Sequence, residues 1–163
     1  LDVGTGSGCI AITLACERKD AVLYAVDISE AALTLAHTNA QNFGVADRVS
    51  FIRNDLLLNL DFTVDALVAN LPYIKISEIA DLSKNVRDYE PFLALDGGPD
   101  GFQLIERLIG QASDFMPAGA HIFLETGYDQ ASRTASLLEL YNFTDIEITR
   151  DLSGIPRIIS GKR

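Results

Sequence analysis

Short apolar runs alternate along this chain with longer stretches whose apolar residues return every three to four positions. That is the pattern of strands and helices taking turns. "LDV" (1–3) reads as the end of a first strand, and "GCIAITLACER" (8–18) as a helix with Ile10, Leu14 and their neighbours inward. "AVLYAVD" (21–27) predicts a second strand, and "SEAALTLAHTNAQNFG" (29–44) a helix with Ser29 as N-cap and Gly44 as C-terminal cap. "RVSFIRND" (48–55) and "VDALVAN" (64–70) predict strands three and four. A long polar connection follows, roughly 74 to 100, ending in "LALDGGPDG", with a helix expected near "SEIADLSKNV". "FQLIERLIGQASDFM" (102–116) predicts a helix, "GAHIFLETG" (119–127) a fifth strand and "DQASRTASLLELYN" (129–142) a helix. "FTDIEITRDLSGIPRIISGKR" (143–163) predicts a closing hairpin.

Five strands with intervening helices, then a strand pair, make an α/β fold. The expected architecture is a doubly wound, mostly parallel seven-stranded sheet with an antiparallel C-terminal pair. Ligands of such sheets sit outside the carboxyl ends of the strands. On that reading Asp2 to Gly8, Asp27, Asp55 and Asn70 share one rim.

Composition narrows the picture. At 163 residues the chain is one domain with enough length for a full core. No apolar run approaches the ~18 residues of a membrane span, so no membrane association is expected. The opening "LDVGTGSG" reads as a strand end and a glycine turn, so an upstream piece carrying most of the first strand is expected. The formal charge of −10 and the scattered basic residues argue against a nucleic-acid face. Cys9 and Cys16 lie seven apart in one helix, ~10 Å between Cα atoms and beyond disulfide reach. They are expected to be core thiols in a reducing, cytoplasmic setting. His37 and His121 have no acid or cysteine partner at ligand spacing, so no metal is expected.

The chemistry starts in "DVGTGSGCI" (2–10). Glycines at 4, 6 and 8 let the backbone turn sharply and approach a ligand closely. The nicotinamide fingerprint G-x-G-x-x-G, begun at Gly4, needs glycine where Cys9 stands; begun at Gly6, it meets Ala11, a tolerated variant. NAD is disfavoured. The pattern D-x-G-x-G-x-G instead resembles the first motif of class I S-adenosylmethionine-dependent methyltransferases, a Rossmann-like fold. The resemblance implies that Gly4, Thr5, Gly6, Ser7 and Gly8 pack against the methionine part of that cofactor. Asp27, at the end of the second strand, would accept the ribose hydroxyls; its other reading is an acid favoured by the next helix's dipole. Asp55 in "RNDLL" would meet the adenine amine with Leu56 over the ring, unless it only shapes the turn.

"NLPY" (70–73) ends the fourth strand on an amide, a proline and a phenol. A primary amide nitrogen is a poor nucleophile because its lone pair is delocalised. Two acceptors in one plane, the Asn70 side-chain oxygen and the Leu71 carbonyl, would orient it and draw off positive charge as a bond forms. Tyr73 can stack on the planar group, and Pro72 stiffens the turn. The tetrad resembles the (N/D)PPY motif of amino methyltransferases, with Leu71 in place of a proline. That exchange gives up about 0.4–1 kcal/mol of preorganisation. "NLPY" also occurs in adenine dimethyltransferases of ribosomal RNA.

"DYEPFLALDGGPDGF" (88–102), "FLETGYDQ" (123–130) and "DLSGIPRIISGKR" (151–163) together resemble the PrmC/HemK family, the release factor glutamine methyltransferases. The resemblance implies methylation of the glutamine amide in the GGQ motif of class I peptide chain release factors, by a cytoplasmic, monomeric enzyme without direct nucleic-acid contact. It places Gly4 to Gly8, Asp27, Leu56 and Asn70 on the cofactor, Asn70 to Tyr73 on the glutamine, and a release-factor-docking helical domain upstream. Tyr89 and Glu90 either border the glutamine pocket or anchor the long loop, Asp100 is a turn or cap residue, and Glu125 faces the rim. The rival readings are an adenine-N6 methyltransferase on RNA or DNA and a catalytically inert nucleotide-binding module.

Overall fold

Asp2–Val3 (β1), Leu23–Asp27 (β2), Val49–Arg53 (β3), Ala66–Asn70 (β4) and His121–Glu125 (β5) lie side by side as parallel strands. A computed structural model describes residues 1–163 and joins them with Thr144–Arg150 (β6) and Pro156–Lys162 (β7) into one seven-stranded sheet. The order is β3-β2-β1-β4-β5-β7-β6, with β7 antiparallel to both its neighbours. The expected doubly wound sheet with an antiparallel C-terminal pair is therefore the fold observed. The last strand inserts between β5 and β6. β7 carries the fully buried Ile159, whereas β6 is largely exposed and charged, as suits a protected edge.

Helices cover both faces. α1 (Cys9–Glu17) and α2 (Glu30–Asn42) share a cluster of buried residues with β2 and β3 that includes Ala25. α5 (Gln103–Phe115) and α6 (Ala131–Leu140) share the larger cluster, which includes Val26. Adjacent residues of one strand point to opposite faces, so the two helix layers sandwich the sheet. α5 shows why it forms: Ile105, Leu108, Ile109 and Ala112 recur at helical spacing and are all buried. Ser29 caps α2 as expected, accepting from Ala32 N–H at 3.2 Å. Phe43 is the cap residue at the other end, and Gly44 follows it with φ +68°. No helix is long and apolar enough to cross a membrane.

Three expectations are corrected. Ile10 and Leu14 do not enter the core of α1; Ala11, Ile12 and Ala15 do, and Leu14 is 38% exposed. Ile10 and Leu14 instead flank a groove of about 910 Å³ that also meets Val68, Phe123 and Ile158. Cys9 and Cys16 are free and exposed rather than core thiols, because the buried face of α1 lies at 11, 12 and 15. The helix near 77–86 is two short pieces, a 3₁₀ turn at Ile76–Asp81 and α3 (Lys84–Arg87), followed by α4 (Phe92–Leu95). Ile79 is the one residue of the first two pieces that is buried, too little packing to sustain a longer helix.

Truncating Ile109 to alanine is expected to cost about 2–5 kcal/mol, whereas Leu14→Ala should stay within about 0.5 kcal/mol of wild type. Urea unfolding of the two variants measures the contrast; equal losses would return Leu14 to the core.

Candidate active site

The glycine loop curls back over the end of β2. Gly4 and Thr5 N–H both donate to the Val26 carbonyl, at 2.8 and 2.9 Å. Gly4, Gly6 and Gly8 all have positive φ, where a side chain is strained. A Cβ on Gly8 would meet Ile12 at 2.8 Å and Ala36 at 3.1 Å, so this glycine lets α1 and α2 close together. A Cβ on Gly6 would meet nothing within 4 Å: the space above it is open. Ser7 is exposed, and its carbonyl accepts from the Asn39 amide at 2.9 Å.

Two carboxylates hold this loop. Asp2 is 3% exposed, and one of its oxygens accepts from Thr5 Oγ1 at 2.7 Å and from Ala11 N–H at 3.2 Å. Burial pushes its carboxyl above the usual range, against those two hydrogen bonds, and the Asp27 charge adds to the rise. Thr5 is thereby occupied with holding the loop. Asp27 accepts Gly6 N–H at 2.9 Å on one oxygen and Ser29 N–H at 2.8 Å on the other. A carboxylate has about four lone-pair sites, so both oxygens keep capacity for hydroxyl donors. Its bond to Ser29 N–H fits the helix-opening reading of Asp27, since Ser29 is the N-cap of α2.

Asp55 pairs with Arg107 of α5 at 2.7 Å. Both partners are substantially exposed, so the pair is worth at most about 1 kcal/mol. Leu56 takes a left-handed φ of +53° and packs into the core, its carbonyl receiving the Asn54 amide at 3.1 Å. Arg107 lay hidden in the sequence, because only the packing of α5 brings it to this turn.

The tetrad stands directly beside the glycine loop. β1 and β4 are neighbours in register Asp2↔Val68 and Val3↔Ala69. Leu71 is 4% exposed, and its Cδ2 lies 2.7 Å from where a Cβ on Gly4 would be. Asn70 is exposed and borders the groove together with Glu125, its partner across the β4–β5 ladder. Tyr73 is half-buried; burial and the nearby Glu125 carboxylate raise its phenol, and the Arg157 guanidinium, 5.9 Å from the ring centroid, opposes them. Glu125 therefore reaches the tetrad, while Tyr89 and Glu90 lie exposed between α3 and α4. Asp100 accepts Phe102 N–H at 3.2 Å ahead of α5 and pairs with Arg133 at 2.7 Å, the expected turn role.

Comparison with known proteins fits this geometry. The methyltransferase small domain family matches residues 1–86. A release factor glutamine methyltransferase of Synechocystis sp. is 40% identical, over 99% of this chain and 56% of that protein. The enzyme of the same description from Nitratidesulfovibrio vulgaris is 38% identical, over 100% of this chain and 57% of its own length. The chain thus spans somewhat more than half of these curated relatives. The ribosomal protein L11 methylase of Lactobacillus delbrueckii subsp. bulgaricus shares the fold, with a TM-score of 0.67 at 24% identity over 98% of this chain and 66% of that one.

Gly8→Ala is expected to cost more stability than Gly6→Ala. Both incur about 1–2 kcal/mol for a side chain at left-handed φ, and only Gly8→Ala adds a collision; parallel denaturant titrations measure the difference. Asp2 gives a pH test. An acid raised on folding favours the fold in its protonated form, so its contribution is present at acid pH and is lost as pH rises from the ordinary carboxylate range through the raised value. Asp2→Asn should therefore gain relative to wild type as pH climbs from acid to neutral in unfolding measurements. A difference independent of pH would contradict the buried acid.

Proposed function

The chain belongs to the methyltransferase small domain family, and on that premise we propose that it methylates the side-chain amide nitrogen of a glutamine, using S-adenosylmethionine as donor. The substrate proposed is the GGQ glutamine of class I peptide chain release factors. The names of the relatives at 38–40% identity support the substrate. The observation that carries the reaction is the placement of the tetrad against the glycine loop, Leu71 on Gly4.

The residues present fit the cofactor. Gly6 leaves open space where a Cβ would stand, and Asp27 offers two oxygens with spare lone pairs to a diol. Asp27 and Glu125 add negative charge to the rim, which favours a cationic ligand. Gly4 to Gly8 would hold the amino-acid portion, Asp27 the ribose, and Asp55 with the backbone turn at Leu56 the base; Asp55 has one oxygen on Arg107 and the other available. When bound, S-adenosylmethionine supplies an electrophilic methyl group on a sulfonium.

The chain's own residues prepare the glutamine. Asn70 Oδ1 and the Leu71 carbonyl accept the two amide N–H bonds, fix the nitrogen in one plane and stabilise positive charge developing on it. Pro72 limits the backbone freedom of the turn. Tyr73 supplies a ring face for the carboxamide, steadied by Glu125 and Arg157. Leu71 presents only its backbone to the substrate, because its side chain is committed to the core.

The reading is tested by incubating the full-length protein with labelled S-adenosylmethionine and either a release factor or ribosomal RNA. Label is expected in the release factor glutamine; label confined to RNA would establish an adenine methyltransferase. Asn70→Ala is expected to slow single-turnover transfer by about 10²–10³-fold, the scale of losing one preorganised charge-stabilising partner. Cofactor affinity by calorimetry should fall only a few-fold. Unchanged turnover in that variant would refute the tetrad's role.

A further inference from the structure

Directly after the tetrad the chain is zipped to the loop that carries "DGGPDG". Ile74 N–H donates to the Leu95 carbonyl at 3.2 Å, Gly97 N–H to the Ile74 carbonyl at 2.9 Å, and Ile76 N–H to the Gly98 carbonyl at 3.0 Å. The loop backbone presses on Tyr73. A Cβ on Gly97 would lie 2.8 Å from Tyr73 Cα, and one on Gly101, where φ is +71°, would collide with the Tyr73 carbonyl oxygen. Those two glycines explain why this block is glycine-rich. The Tyr73 carbonyl needs another partner.

That partner is Gln130, 6% exposed and immediately before α6. Its Nε2 donates to the Tyr73 carbonyl at 3.0 Å and to the Gly101 carbonyl at 2.9 Å. Its Oε1 accepts from Gly127 N–H at 3.0 Å, in the turn that follows β5. A primary carboxamide offers two N–H donors and a carbonyl acceptor in one plane, and all three functions are engaged. Three loops, those after β4, before α5 and after β5, meet on this one side chain. A carboxylate would set lone pairs against two carbonyl oxygens, and asparagine would fall a methylene short.

We propose that Gln130 is a positioning residue for the tetrad: by fixing the peptide plane between Tyr73 and Ile74 it sets how the Asn70–Tyr73 turn presents its oxygens and its ring. The inference rests on the function proposed above for what the turn holds, and on the hydrogen bonds alone for the clamp. Misplacement of a reacting group by about 1 Å costs up to about 10²-fold in rate. Gln130 has no contact with the glycine loop among its hydrogen bonds, so its loss should act on transfer and spare cofactor binding.

The test is Gln130→Glu in the full-length protein, which keeps the acceptor and the shape and removes both donors. Single-turnover transfer to the release factor is expected to fall roughly 10- to 100-fold, with cofactor affinity by calorimetry within about twofold of wild type. Amide hydrogen exchange should quicken at Ile74, Ile76 and Gly97 and stay unchanged at Gly4 and Thr5. Gln130→Asn, with the same amide on a shorter stem, should show the same pattern more weakly, and it serves alone if the glutamate variant does not fold. Transfer and exchange both within twofold of wild type would overturn the clamp, as would protection lost equally at the glycine loop. A wild-type protein that moves no methyl to the release factor refutes the proposed function, and the exchange comparison then decides the clamp separately.

Discussion

The site depends on one contact: the Leu71 side chain lying on the bare backbone of Gly4. Close packing is short-ranged and intolerant of added volume, and a Cβ at Gly4 would collide with Leu71. The same contact keeps Leu71 buried, which leaves only its backbone for a ligand. A residue that looks like a weakened proline in the tetrad is the wedge that joins the turn to the loop.

Charge is arranged around that wedge with some conflict. Asp2 is buried beside Asp27, and desolvation opposes its ionisation. Its hydrogen bonds to Thr5 and Ala11 bind the loop to the first turn of α1, an interaction that a neutral apolar residue could not replace. Asp27 sits with less conflict, because two backbone N–H groups donate to its oxygens and it remains partly open to water. The result is a pair of carboxylates that pin the glycine loop beside the Asn70–Tyr73 turn.

A groove also runs along the sheet beside α1. Val68, Phe123 and Ile158 line it together with Ile10 and Leu14. This explains why helical periodicity misassigned the inward face of α1. Apolar spacing identifies a stripe, and a helix at the margin of a groove carries two, one for the core and one for the gap. The exposed cysteines follow from the same geometry, since α1 is thin on buried positions.

Strand and helix types, the glycine turn, the Ser29 cap and the polar ends of β2 and β4 were all legible in the chain, because each depends on residues within a few positions of one another. Sequence therefore determined the α/β class, the C-terminal rim and the identity of Gly4 to Gly8, Asp27 and Asn70 to Tyr73 as its occupants. It could not determine that β7 enters between β5 and β6, that Arg107 reaches Asp55, or that Gln130 gathers three loops. Most of those pairings join residues 29 to 57 positions apart or depend on which strand edge stays free. The long-range packing that closes the sheet decides them, and no local spacing encodes which distant carbonyl a buried amide will find.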